Sequence, residues 1–270
     1  MKNQNLILHC GACIEMNDPS NSHFHDEFEL LYISRGSAKV IVDKKEYELS
    51  RGMVTFIGHL EEHSIRVLSE DYLYYYLIIN SNQFEQLIHE PRLISIFRNR
   101  SAHFTHTLQF VEQADILDAC FAAICHEVDL KRPYYNEMIH SYLTQILIAA
   151  YRKEPMEFDF INTNMTSAIY SIEKYLEENF MSDIRISDIA DSYYISVNYL
   201  SKCFRALSGY TPKQYLSQCR IANAKSMLIH TDTSVQNIAI KCGFNDVNNF
   251  IRKFKEETGI TPYKYKENSK

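Results

Sequence analysis

The strongest constraint in this 270-residue chain is a motif written twice. "LSKCFRALSGYTPKQY" fills positions 200–215 and "FIRKFKEETGITPYKY" fills 250–265. Phe204 thus answers to Phe254, Gly209 to Gly259, Thr211 to Thr261, Pro212 to Pro262 and Tyr215 to Tyr265. Glycine supplies the left-handed residue that ends a helix, and Thr-Pro supplies the cap and fixed φ that start the next. Ahead of each copy lies a short, partly apolar stretch, "ISDIADSYYIS" and "SVQNIAIKCGFND". Ser196 and Asp246 carry the side chains of N-caps, and Ala190 and Ala239 are small where a second helix must cross closely. Each copy therefore reads as a helix-turn-helix, and residues 164–270 as an all-α domain holding two of them.

The second helix of each copy has two faces. Leu200, Phe204 and Leu207 form a core face in the first, and Phe250 and Phe254 take the first two of those places in the second. Asn198, Ser201, Lys202 and Arg205 remain outward, answered by Asn248, Ile251, Arg252 and Lys255. Asn pairs bidentately with adenine, and Arg or Lys reaches the acceptors of guanine in the major groove. Asn is a poor helix former, so Asn248 and Asn249 each cost their helix about a few tenths of a kcal/mol. A merely solvated face has no use for that cost, and two matched copies point to a ligand.

Residues 164–266 resemble the DNA-binding domain of the AraC/XylS family of bacterial transcription regulators. The resemblance is carried by "IADSYYISVNYLSKCFRALSGYTPKQY", the connecting "RIANA", "IAIKCGFNDVNNFIRKFKEETG" and the terminal "GITPYKY". It implies that both second helices enter successive major-groove segments on one face of double-stranded DNA. Carried over by position, it places base contacts at Asn198, Ser201 and Lys202, then at Val247, Asn248 and Arg252. Arg205, Asn249 and Lys255 complete the expected DNA-facing set. Ser201 and Val247 are shorter than the family's usual side chains there. One module with two reading helices implies half-sites about 10 to 10.5 bp apart, and the family implies RNA polymerase as a further partner.

The rest of the chain follows a different period. "ELLYIS", "AKVIVD", "YEL", "MVTFI", "IRVL" and "YLYYYLII" between residues 23 and 80 are short, β-branched or aromatic runs, with "DKKE" as a hairpin turn. Many short strands at close spacing indicate a β-sandwich or barrel. Leu117, Phe121, Ile124 and Val128 then make one helical stripe, and Met138, Tyr142, Ile146 and Ala149 a second beyond Pro133. The expected class is α+β: an N-terminal sandwich or barrel over 1–100, a helical hairpin over 101–153, a linker over 154–163, and the all-α domain over 164–270. Residues 1–160 hold 14 Lys+Arg against 23 Asp+Glu, whereas the remainder is net +3 within a total of −6. An acidic half joined to a mildly basic one leaves the second to meet a polyanion. No apolar run approaches the roughly 20 residues of a membrane helix, and the first residues have too short an apolar core for a secretory signal. Seven scattered cysteines suit reduced thiols in a cytoplasm.

"HFHDEFELLYISRG" sets His23, His25, Glu29 and Gly36 at the spacing of the first motif of the cupin superfamily, and "GMVTFIGHLEEH", ending at His63, resembles the second. In metal-binding cupins the positions of His23, His25, Glu29 and His63 hold a divalent metal; in the cupin domains of the AraC family such residues generally line a metal-free ligand pocket. The expectation is a small polar effector, such as a sugar, bound by His23, His25, Glu29 and His63 with Tyr32 beside them, with no cofactor, no metal and no catalytic residue. If a metal is present, the same four residues hold it. Cys10 and Cys13 in "CGAC" have zinc or redox spacing but no partner pair and read as ordinary thiols, the tyrosines of "YLYYYLII" alternate inward, and His103 and His106 read as surface residues. Leu117, Phe121, Ile124 and Val128 are candidates for a buried seam, either within the chain or with a second copy, since hairpins of this kind dimerise in the family. These expectations converge on a cytoplasmic, dimeric, effector-responsive transcription activator. The alternative is a metal-dependent cupin enzyme fused to a DNA-binding module.

Overall fold

The computed structural model describes residues 5–13, 25, 27–59, 61–98, 104–158 and 163–268. The chain divides into two compact units, one from Met1–Asn99 and His103–Ile161, the other from Arg100–Ala102 and Asn162–Lys270.

In the first unit, β1 (Ile7–Cys13), β2 (Phe28–Arg35), β3 (Ser37–Val42), β4 (Lys45–Ser50), β5 (Met53–Ile57), β6 (His63–Val67), β7 (Leu73–Ile79) and β8 (Thr107–Gln109) make two antiparallel sheets. The larger runs β1-β7-β2-β5-β8 and the smaller β4-β3-β6. Successive side chains on a strand point to opposite faces, so β2 serves two cores. Phe28, Leu30 and Tyr32 belong to a core shared with the helices, while Leu31 and Ile33 belong to the core shared with Val40, Val42 and Leu49 of the small sheet. The hairpin read at "DKKE" turns at Asp43 and Lys44, both with positive φ, which gives the right-handed twist that a tight hairpin needs.

The helical layer comprises α1 (Ser81–Leu87), α2 (Pro91–Arg98), α3 (Ala114–Leu130), α4 (Tyr135–Lys153) and α5 (Pro155–Phe158). Leu117, Phe121 and Ile124 are buried against this same unit, so that stripe is an internal seam. The stripe expected on α4 is displaced. Ile139, Leu143, Ile146, Leu147 and Ala150 are buried, whereas Met138 is exposed and Tyr142 and Ala149 only partly covered. Apolar residues surround much of α4, and the packing against α2 and α3 selects the face. The segment read as a linker opens differently from its reading: residues 155–158 form a helical turn, and Phe158 is fully buried in the first unit's core.

The second unit is helical throughout: α6 (Thr163–Asn179), α7 (Ile186–Ser192), α8 (Val197–Ser208), α9 (Pro212–His230), α10 (Val235–Lys241), α11 (Val247–Thr258) and α12 (Pro262–Asn268). The two helix-turn-helix units are α7–α8 and α10–α11, and α9 packs against both α8 and α11. Gly209 and Gly259 end α8 and α11 at φ 78° and 79°, a region open to glycine without a Cβ penalty. No helix among the described residues is long and apolar enough to cross a membrane.

Candidate functional site

The duplicated motif builds duplicated geometry. Ser196 accepts a hydrogen bond from the Tyr199 backbone N–H, and Asp246 accepts from those of Asn248 and Asn249, so α8 and α11 each begin on a side-chain cap. Phe204 lies 5.4 Å from Tyr215 and Phe254 5.3 Å from Tyr265, both edge-to-face between ring centroids. At the far end, the Ser208 hydroxyl bonds the carbonyls of Phe204 and Tyr210, and the Thr258 hydroxyl those of Phe254 and Ile260. Those two hydroxyls were missed in the sequence, although each immediately precedes its glycine. Leu200, Phe204, Phe250 and Phe254 are buried and Leu207 is half-buried.

With the core face held in this way, the outward residues are placed as a set. Asn198, Lys202 and Arg205 on α8 and Asn248, Asn249, Arg252 and Lys255 on α11 are exposed, and Ser201 is half-buried. Val247 and Ile251 depart from the outward reading, since both lean on the core formed by Phe250 and Phe254. Arg252 donates from Nη2 to Asn249 Oδ1 at 2.9 Å and from Nη1 to Glu256 Oε1 at 2.7 Å, while Lys253 Nζ reaches Glu256 Oε2 at 2.9 Å. Lys253 and Arg252 hold the Glu256 carboxyl below its ordinary value. Arg220 is a different kind of cation. It donates to the carbonyls of Phe180 and Ser182 and lies over the Phe244 ring at 5.8 Å, so it ties the domain together.

In the first unit, His25, Glu29 and His63 come together, and His23 lies outside the described residues. The Nε2 atoms of His25 and His63 each stand 2.9 Å from the same Glu29 oxygen. His25 Nδ1 faces the Glu27 carbonyl at 3.0 Å and His63 Nδ1 the Glu61 carbonyl at 2.8 Å. A carbonyl only accepts, so both Nδ1 atoms carry hydrogen. A neutral imidazole would then turn a lone pair toward the carboxylate, and only a cation between them, proton or metal, makes the contact attractive. Burial pushes the Glu29 carboxyl up, but hydrogen bonds and charge from His25 and His63 outweigh it and bring the pKa down to about 2. Burial pushes His63 down, and its bond and attraction to Glu29 more than offset this, leaving it above its ordinary value. One ligand atom from each of the three residues lies within 4.8 Å of the others, a donor set that fits iron, manganese, nickel or zinc.

Four other sequence readings are resolved by strand parity and burial. Glu29 and Tyr32 are three apart on β2 and so face opposite ways. The fully buried Tyr32 ring stacks on Phe121 at 4.8 Å and its hydroxyl donates to the Ala114 carbonyl, which removes it from the histidine cluster. Cys10 and Cys13 are likewise three apart on β1 and pack into different cores, so they do not form a joint thiol pair. His106, read as a surface residue, is only 4% exposed. Its Nε2 is 3.0 Å from Glu61 Oε1 and its Nδ1 2.9 Å from the Tyr47 hydroxyl; His103 lies outside the described residues. Tyr74 and Tyr76 on β7, with Tyr72 just before it, do gather in one core on the inner face.

Residues 12–147 match the family described as AraC-like ligand binding domain, and residues 189–268 match the family described as helix-turn-helix domain. The chain is 26% identical over 261 residues to the HTH-type transcriptional activator RhaS of Mannheimia succiniciproducens, covering 97% of this chain and 93% of that protein. It is 28% identical to RhaS of Escherichia fergusonii, covering 89% and 85%. Its fold is similar to that of the unsaturated fatty acid-bound wild-type ToxT of Vibrio cholerae, with a TM-score of 0.60 at 18% identity over 98% of this chain and 97% of that one.

Proposed function

The chain belongs to the AraC family of DNA-binding transcription regulators with an N-terminal ligand-binding domain, and from that premise we propose that it is an effector-responsive activator that reads DNA with α8 and α11. The observation that carries this reading is the matched exposure of Asn198 and Lys202 on α8 with Asn248 and Arg252 on α11, each set standing on a buried phenylalanine pair or its equivalent. Arg205, Asn249 and Lys255 extend the surface, with smaller parts for Ser201 and Val247. Activation is the activity named for the RhaS relatives, and it makes RNA polymerase the second macromolecular partner. Selection of binding sites from a random duplex pool tests the reading. Paired half-sites about one helical turn apart are the expected product, and a pool without enrichment overturns it.

The effector site we propose lies between the two sheets, on the face of β2 and β7 that carries Glu29 and the inner tyrosines, with His25 and His63 held to Glu29. Thr55, opposite Leu31 on the same face, adds a fully buried hydroxyl oxygen that has no hydrogen-bond partner among the described residues. A buried unpaired hydroxyl costs stability, and a hydroxylated effector such as a sugar would satisfy it. Thermal-shift screening of the full chain against polar metabolites and against fatty acids tests this: stabilisation by polyols supports it, and stabilisation by fatty acids alone overturns it.

The Nε2 geometry also favours a second reading, in which a divalent cation replaces the shared protons. His25, Glu29 and His63 would hold it, and it would supply a Lewis-acid contact for an effector oxygen. Stoichiometric metal in the purified protein that is lost in His25→Ala establishes this reading, and its lack in both leaves the protonated cluster. In either case we take the chain to be a regulator without catalysis, acting in the cytoplasm. A homodimer would form through apolar side chains that α3 and α4 leave exposed, Ile116, Leu130 and Met138, and sedimentation of an Ile116→Asp variant tests that contact.

A further inference from the structure

The two reading helices differ in how their cations are held. α8 contains no acidic residue, and its exposed Lys202 and Arg205 make no ion pair among the described residues. On α11, Glu256 binds both Arg252 and Lys253. Glu256 occupies the place that Ala206 holds in the first copy, so the fold does not require an acid there. Its position near the C-terminal end of a helix is also electrostatically unfavourable, and exposed ion pairs contribute little to stability. The acid must be explained by what it does to the cations beside it.

A phosphate competes with Glu256 for the same guanidinium. Arg252 would exchange one anion for another, with little net gain, while the Glu256 carboxylate would be left close to the DNA backbone. A guanine edge asks less. Arg has five N–H donors, and the two engaged by Asn249 and Glu256 leave others for the O6 and N7 acceptors, with the side chain already fixed in direction. From this asymmetry, and resting on the DNA-reading role proposed above, we infer that Glu256 is a positioning residue that sets specificity: it suppresses phosphate binding by Arg252 and Lys253, so that α11 draws more of its binding from bases, while α8, which also reads its own half-site, carries more of the phosphate grip.

The test uses the full-length protein with Glu256→Gln, and with Glu257→Gln as a control that removes the same formal charge one residue away from the Arg252 and Lys253 contacts. Affinity is measured across salt concentrations for a selected site and for random-sequence duplex. For Glu256→Gln the expected result is a roughly 3- to 10-fold gain on random duplex and a salt slope steeper by about 1 to 2, since each added phosphate contact contributes about 0.9. The ratio of specific to random affinity falls accordingly, and Glu257→Gln moves it less than half as far. Equal effects of the two variants, or an unchanged ratio in Glu256→Gln, overturn the inference while leaving DNA binding intact. A wild-type protein that binds no duplex at low salt overturns the underlying reading together with it.

Discussion

Phe254 stands edge-on to Tyr265 at 5.3 Å, as Phe204 stands to Tyr215 at 5.4 Å, so α11 and α8 are each fixed to the following helix by the same aromatic contact. Both phenylalanines are fully buried. Truncating Phe254 to Ala removes this contact and leaves a cavity, at a cost of roughly 3 to 5 kcal/mol. Denaturant unfolding should show the loss, and a footprint of the variant on a selected site should keep the α8 half-site and lose the α11 half-site. Equal loss of both halves would mean that the two units are not separately supported.

Arg252→Ala should weaken binding to a selected site by roughly 1 to 3 kcal/mol and relax the choice of base at one position only. Competition with singly substituted duplexes measures this directly. A uniform loss on every duplex would place Arg252 on phosphate and not on a base. Val247→Ala should have a small effect on base choice, because Val247 rests against the core beneath α11.

Spacing gives an independent check. One rigid module with two reading helices needs its half-sites in phase on the duplex. Inserting five base pairs between them turns one half-site to the opposite face and should abolish simultaneous contact, whereas inserting a full turn should retain part of the binding if a second copy bridges the gap. A footprint indifferent to a five-base-pair insertion would rule out the two-helix reading.

The C-terminal unit was largely legible because its signals are local and written twice. Ser196, Gly209, Asp246 and Gly259 each fix a helix end with their own side chain or backbone freedom. The N-terminal strands were legible wherever burial alternates, as in β3. β1 is not legible as a strand, since "ILHCGAC" has few β-branched residues and its pairing with β7 is a long-range property. Tyr32 is close to Glu29 in sequence, yet two residues three apart on a strand face opposite layers. His106 looks polar and local, yet its burial depends on Glu61 and Tyr47, residues distant in sequence. These are the cases in which tertiary pairing, and not period or capping, decides the environment.

The histidine cluster makes the first unit's stability depend on pH in a defined way. Glu29 is lowered from its ordinary 4.5 to about 2, so its contribution is fully present above 4.5 and is lost as pH falls from there toward 2. His63 is raised above its ordinary 6.5, so its contribution is fully present below 6.5 and is lost as pH rises through the higher folded value. Both contributions are therefore present together between about 4.5 and 6.5. Chelator-treated protein should show its highest first-unit melting temperature in that window, with a decline on each side. Glu29→Gln removes the charge to which both imidazoles are anchored, so its profile should be lower and flatter across the same range. If the wild-type and variant profiles run parallel, the Glu29–His63 contact contributes no charge interaction to folding, and the cluster would have to be uncharged in the folded protein.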